Sequence, residues 1–179
     1  MFDWLYESVN RIATWRLALL LAVVCAICIL GFTWRNQKLN GHLALDGHQC
    51  GYTSDQAHAF LEVIGNGGRA LYAGTQLTLD LVFPAAYGLL IAVLLTLFLK
   101  ANGRYVIVLP AAVVLFDLLE NLSTACLAIV FEKSWFPKLA SAASFFTTTK
   151  WASARLCVVA LTVSLLVWIV SLIRPTANP

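Results

Sequence analysis

The chain has 179 residues, of which 60% are hydrophobic and 12% charged, with a formal net charge of +3. A soluble domain carries about a quarter charged residues. Too little polar surface is therefore available to cover a soluble globule, and the mean hydropathy of +0.81 agrees. The cations are spread along the chain with no basic run, which argues against nucleic acid as a partner.

Residues 1–14, MFDWLYESVNRIAT, put Phe2, Leu5, Tyr6, Val9 and Ile12 on one helical face. This is the pattern of a short helix lying at a membrane interface ahead of a first span. WRLALLLAVVCAICILGFTW follows, with Trp15 and Trp34 at its ends, where the two headgroup belts favour tryptophan. Its apolar run predicts a span over about 16–33. The acidic, aromatic beginning and the lack of a small-x-small site at the end favour an uncleaved span over a signal peptide. Residues 35–72 are the most polar part. Within them TSDQAHAFLEVIGNGG predicts a short helix, with Thr53 and Gln56 as a capping box and Gly65, Gly67 and Gly68 as its stop. Ala57, Phe60, Leu61 and Ile64 form its apolar face, and His58 and Glu62 its solvated side.

Three further apolar runs predict spans over about 74–99, 105–130 and 151–172, each long enough to cross about 30 Å. KANGR joins the second and third in a tight turn, and FEKSWFPKLASAASFFTTTK reads as the loop before the fourth. The expected fold is an all-α integral membrane protein: one membrane domain over 1–179, built as a four-transmembrane-helix bundle. An interfacial helix precedes it, and a short helix sits in the first extramembrane loop. Arg11, Arg16, Lys100, Arg104 and Arg174 crowd short segments on one side. The positive-inside rule then places both termini in the cytoplasm, with the bundle in a plasma or bacterial inner membrane.

Cys25, Cys28, Cys126 and Cys157 lie in apolar runs and Cys50 in a polar loop. Four small buried hydrophobes and one loop thiol is the expected arrangement. Cys25-Ala-Ile-Cys28 has the spacing of a redox pair, but Cys50 alone offers it no second pair to exchange with.

The third span carries a polar stripe. Asp117, Glu120, Asn121 and Thr124 recur at i, i+3, i+4 and i+7 and so share one helical face. On the second span Gln76, Asp80, Pro84 and Tyr87 form another, with Gly88 beside Tyr87 allowing close helix approach. Pro84 frees a backbone carbonyl that Tyr87 or a neighbouring span can satisfy. Counted at about 1.5 Å per residue from the outer loops, Asp80 and Arg155 lie roughly 7–9 Å deep, Glu120 about 15 Å, and Asp117 and Tyr87 about 20 Å. Carboxylates at such depth do not face lipid. They face a cleft open toward the outer loops.

Within that cleft Asp117 and Glu120 are the candidate proton-transfer pair, since two close, buried carboxyls tend to divide into an acid and a base. Asp80, Tyr87, Asn121, Lys150 and Arg155 are the candidates for binding or orienting a substrate. On this reading Asp80 and Glu120 pair with Arg155 or Lys150, while Asp117 keeps its proton and donates to Tyr87 or Asn121. The function expected first is action on, or binding of, a lipid-like molecule. A small carrier or proton or cation relay comes second, and a non-catalytic scaffold or partner subunit third. The bilayer is the one partner the composition requires. No cofactor is legible and no metal site is assigned, although the oxygen ligands of Asp80, Asp117 and Glu120 would suit magnesium, calcium or manganese.

Overall fold

The computed structural model describes residues 2–39, 41–99 and 107–173. These residues form α1 (Phe2–Ile12), α2 (Trp15–Lys38), a single 3-10 turn (Leu45–Gly47), α3 (Ser54–Val63), α4 (Gly65–Gln76), α5 (Leu79–Leu99), α6 (Val108–Ile129) and α7 (Phe136–Ile173), with no strand among the described residues. Four stretches are long and apolar enough to cross a membrane: Trp15–Lys38, Gly65–Leu99, Val108–Ile129 and Phe136–Ile173. They mark the chain as a membrane protein. The KANGR turn, Lys100 to Arg104, lies outside the described residues, as do Tyr105 and Val106 of the third span, and Arg174.

Local chemistry sets most of the boundaries. Thr14 caps α2, its hydroxyl accepting from the Leu17 amide at 3.1 Å. Thr53 and Gln56 close the expected capping box on α3. The stop is narrower than the sequence suggests. Gly65 alone takes the left-handed conformation (φ +64°) that turns the chain, whereas Gly67 and Gly68 continue inside α4. Leu77 and Thr78 separate α4 from α5, so the second long apolar stretch is broken near its upper third.

Two helices exceed their expected lengths. α2 runs on to Lys38 and buries Arg35 within its last turns. α7 begins at Phe136, so most of the expected loop FEKSWFPKLASAASFFTTTK is helix. Ala140, Ala143 and Thr147 are buried at spacings of three and four, and this small-residue face lets α7 lie close along α6. The 38 residues of α7 extend about 57 Å at the usual helical rise.

Two apolar cores result. The upper one joins Leu39, Leu45, Leu61, Tyr72, Leu127 and Phe136, tying the polar connecting segment and α3 onto α4, α6 and α7. The lower one joins Val9 of α1, Leu21 and Cys25 of α2, and Ala86, Ala92 and Val93 of α5. Gly88 permits the approach of α5 to α6, because a Cβ there would collide with Val114. At the end of the bundle away from the loops, the rings of Trp15, Phe98 and Trp168 meet at centroid distances of 5.6–6.2 Å. Large apolar side chains such as Leu20, Leu30, Leu115, Leu166 and Val170 point outward along α2, α6 and α7. All five cysteines are free thiols. Cys25, Cys28 and Cys157 are buried as expected, but Cys126 is exposed, being on the outward side of α6 two residues beyond buried Thr124.

Candidate functional site

The polar stripe of α6 faces inward in full: Asp117, Glu120, Asn121 and Thr124 are all buried. Opposite them Lys150, 9% exposed, points into the bundle from α7. Its ammonium lies 3.5 Å from Asp117 Oδ1 and also contacts Glu120 Oε2. Each carboxylate has a second donor. Tyr87 Oη donates to Asp117 Oδ2 at 2.6 Å, and Thr147 Oγ1 donates to Glu120 Oε1 at 2.5 Å. Four candidates named from the sequence, Asp117, Glu120, Tyr87 and Lys150, thus form one connected centre, with Thr147 added.

This geometry corrects the expected distribution of charge. Lys150 pairs with Glu120 as expected but also reaches Asp117 instead of Asp80, and Asp117 accepts from Tyr87 rather than donating to it. The error came from the depth count, which began α7 near Lys150. Measured from their true ends, Glu120 is nine residues below the top of α6 and Lys150 fourteen below the top of α7, about 13 and 21 Å. Lys150 thus sits well inside α7 rather than at its start, and from there its ammonium reaches both Glu120 and Asp117. Arg155 is a second correction. Five residues past Lys150, it sits about 140° around the helix, exposed, and donates to Gln49 Oε1 at 3.0 Å. It takes no part in the carboxylate centre.

Asn121 has a role set by Pro84. Proline has no N–H, so within α5 the carbonyl four residues earlier, that of Asp80, loses its helical donor. Asn121 Nδ2 supplies one from α6. The freed carbonyl is satisfied by a neighbouring span, and Asn121 pins α5 to α6 immediately above the Tyr87–Asp117 bond. The Asp80 side chain is buried and borders a cleft, and no ion pair to it forms among the described residues.

That cleft involves residues the sequence reading passed over. Arg35, 2% exposed, donates through Nη2 to Asp46 Oδ2 at 3.4 Å and packs its guanidinium over the rings of Phe32 and Tyr72. Trp151 Nε1 donates to the Asp46 carbonyl at 3.0 Å, fastening the Leu45–Gly47 turn to α7. Arg35, Asp46, Asp80, Asp117 and Lys150 line a cavity of about 220 Å³ beneath that turn. A second cavity, about 230 Å³, is lined by Phe83, Tyr87, Asp117, Lys150, Trp151 and Ala154. The two share Phe83, Asp117, Lys150 and Trp151. The first has five charged side chains in its wall, Arg35, Asp46, Asp80, Asp117 and Lys150, whereas the second is lined mostly by rings and a methyl group. Arg35 stands at the start of the most polar part of the sequence, outside the expected first span, although α2 runs through it. The signal was Phe32 three residues before it, which keeps the helical period running past Trp34.

Other polar residues are local. Thr124 Oγ1 donates back to the Glu120 and Asn121 carbonyls of its own helix. His58 and Glu62 approach at 3.9 Å on the outer side of α3, where His58 also stacks on Phe131 at 4.4 Å. Tyr52 is buried in the loop above the centre. Burial pushes its phenol above the ordinary range and the nearby Glu120 carboxylate adds to the shift, so it remains a neutral group at physiological pH. Among the described residues no three His, Cys, Asp or Glu side chains converge in an arrangement that would hold a metal ion. No protein-family model, curated protein or solved structure matches this chain.

Proposed function

We propose that the protein is a four-span integral membrane protein that binds and acts on an amphipathic, lipid-like molecule in the cleft between α2, α5, α6 and α7. The observation that carries this reading is the pair of adjoining cavities, one of mixed lining with five charged side chains and one mostly apolar, that share Phe83, Asp117, Lys150 and Trp151. A head group fits the polar side and a hydrocarbon tail the apolar side, which brings the junction of the two against Asp117 and Lys150. Ligand sites commonly combine mostly apolar walls with a few convergent polar groups. Asp117 and Glu120 are the proposed proton-transfer pair, joined through Lys150, with Tyr87 orienting Asp117. Asn121 acts as a positioning residue through the Asp80 backbone.

Replacing Ala154 by phenylalanine tests this reading, because it fills the apolar cavity at a residue outside the ion-pair centre. Protein purified in mild detergent is extracted, and the retained amphiphiles are identified by mass spectrometry. Wild type should retain a restricted set of lipids and Ala154→Phe should lose them while keeping its melting profile. Identical retention by both proteins, or retention of bulk lipid in bulk proportions, would refute a built site.

The orientation proposed from the short basic segments puts both termini in the cytoplasm and the loop carrying Cys50 outside. Cys50, exposed in that loop, should react with an impermeant maleimide in intact cells. A cysteine introduced at Ser171 should be protected until the membrane is permeabilised. Labelling in the opposite sense inverts the orientation.

A further inference from the structure

The Arg35–Asp46 pair is half closed. One contact of the fork is made, Nη2 to Oδ2, and at 3.4 Å it is long for a charge-assisted hydrogen bond, which is usually about 2.7–2.9 Å. Arg35 Nη1 and Asp46 Oδ1 are buried and have no hydrogen-bond partner among the described residues. Both side chains line the polar cavity. A buried donor and a buried acceptor left open on the two members of one ion pair are costly unless something bridges them.

The bridging group has to accept from a guanidinium and donate to a carboxylate. A phosphate or carboxylate accepts from Arg35 but faces Asp46 with like charge. An ammonium donates to Asp46 but offers nothing to Arg35. A neutral hydroxyl does both. The rest of the cavity points the same way, since three carboxylates, Asp46, Asp80 and Asp117, line it against two cations, Arg35 and Lys150. Donors and acceptors both face the head there, as a neutral hydroxyl requires. Asp80, with no ion pair among the described residues, offers a second acceptor for a hydroxyl. The apolar cavity beyond Trp151 requires the group to carry a hydrocarbon tail.

We infer that the cleft selects amphiphiles whose head is an uncharged hydroxyl, held between Arg35 Nη1 and Asp46 Oδ1, over those with a phosphate or amine head. This rests on the reading of the cleft as an amphiphile site and specifies its ligand class. The test uses the full chain in phosphatidylcholine nanodiscs, with retention measured by native mass spectrometry. The probes are dioleoylglycerol, its O-methyl ether, dioleoyl phosphatidate and oleylamine. One hydrogen bond to a charged group is worth about 1.5–3 kcal/mol, or roughly tenfold and more in affinity. Dioleoylglycerol should therefore bind about tenfold tighter than its methyl ether, which keeps the acceptor and loses the donor. It should exceed phosphatidate and oleylamine as well. The ether comparison requires no mutation, so protein folding does not confound it. Arg35→Lys, which keeps the charge and removes the fork, should weaken binding of the alcohol and its ether alike, because both accept from Arg35.

Equal binding of the alcohol and its ether would overturn the inference, leaving water as the bridge. Tighter binding of phosphatidate or oleylamine would overturn the hydroxyl class while the amphiphile site stands. No saturable binding of any probe, together with unchanged lipid retention in Ala154→Phe, would overturn both.

Discussion

Lys150→Met is expected to be the most damaging single substitution in the protein. Methionine fits the same space but leaves Asp117 and Glu120 buried, one helical turn apart, without the ammonium between them. Breaking a buried ion pair by removing one partner costs about 3–5 kcal/mol, because the remaining charge is uncompensated. In a chain of this size that corresponds to a fall in melting temperature on the order of 10 °C. Adding Glu120→Gln to Lys150→Met should recover a large part of the loss, since the fully buried carboxylate is then neutral and Thr147 still has an oxygen to bond. Arg155→Leu should stay within about 0.5 kcal/mol of wild type, as an exposed residue outside such features does. Thermal melts of the four proteins in one detergent make the comparison. A Lys150→Met protein melting within two or three degrees of wild type would show that the ammonium does not compensate the two acids.

Asn121→Leu is expected to have the second largest effect, and its size should depend on a residue in another helix. The Asp80 carbonyl needs Asn121 only because Pro84 has no N–H to offer it. Leaving that buried acceptor unsatisfied costs about 1–3 kcal/mol. In a Pro84→Ala background, α5 can make its own bond to Asp80, and Asn121→Leu should lose most of its cost. The double-mutant cycle should show a coupling well above the roughly 0.5 kcal/mol that separates independent sites. If Asn121→Leu costs the same with and without Pro84, the amide has some other task and the account of this junction fails.

Helical periodicity made much of this arrangement legible. The inward face of α6 follows from the spacing of Asp117, Glu120, Asn121 and Thr124, because hydrocarbon excludes carboxylates from the opposite face. The close approach at Gly88 and the need for a donor near Pro84 are readable for the same reason: each is a local steric or hydrogen-bonding requirement. Positions between helices were less accessible. Lys150 falls at the end of an expected loop because the residues before it, SAASFFTTT, are polar enough to pass for one. The segment is helical because Ala140, Ala143 and Thr147 pack against α6. A shift of that helix start moves Lys150 by several turns relative to α6, which decides which acids it can reach. Arg35 and Asp46 come together across the connection that follows α2, and nothing local in either segment encodes that contact.

The three rings at the far end of the bundle have a consequence for where a ligand comes from. Trp15, Phe98 and Trp168 belong to α2, α5 and α7 and lie at one level. Arg35 is twenty residues above Trp15, Asp80 eighteen above Phe98 and Lys150 eighteen above Trp168, so the polar cavity stands about 27–30 Å from the ring layer on all three helices. That is one hydrocarbon thickness. If the aromatic rings mark one headgroup belt, the charged cavity would lie near the other, with the apolar cavity just below it. A lipid resting in that leaflet already has its head at the height of Arg35 and its tail at the height of Ala154. It can slide in sideways without crossing the membrane, whereas a lipid of the opposite leaflet must first flip. On the proposed reading of the cleft as a lipid site, a protein placed this way would draw on a single leaflet, and the lipid asymmetry of its membrane would become a determinant of what it meets.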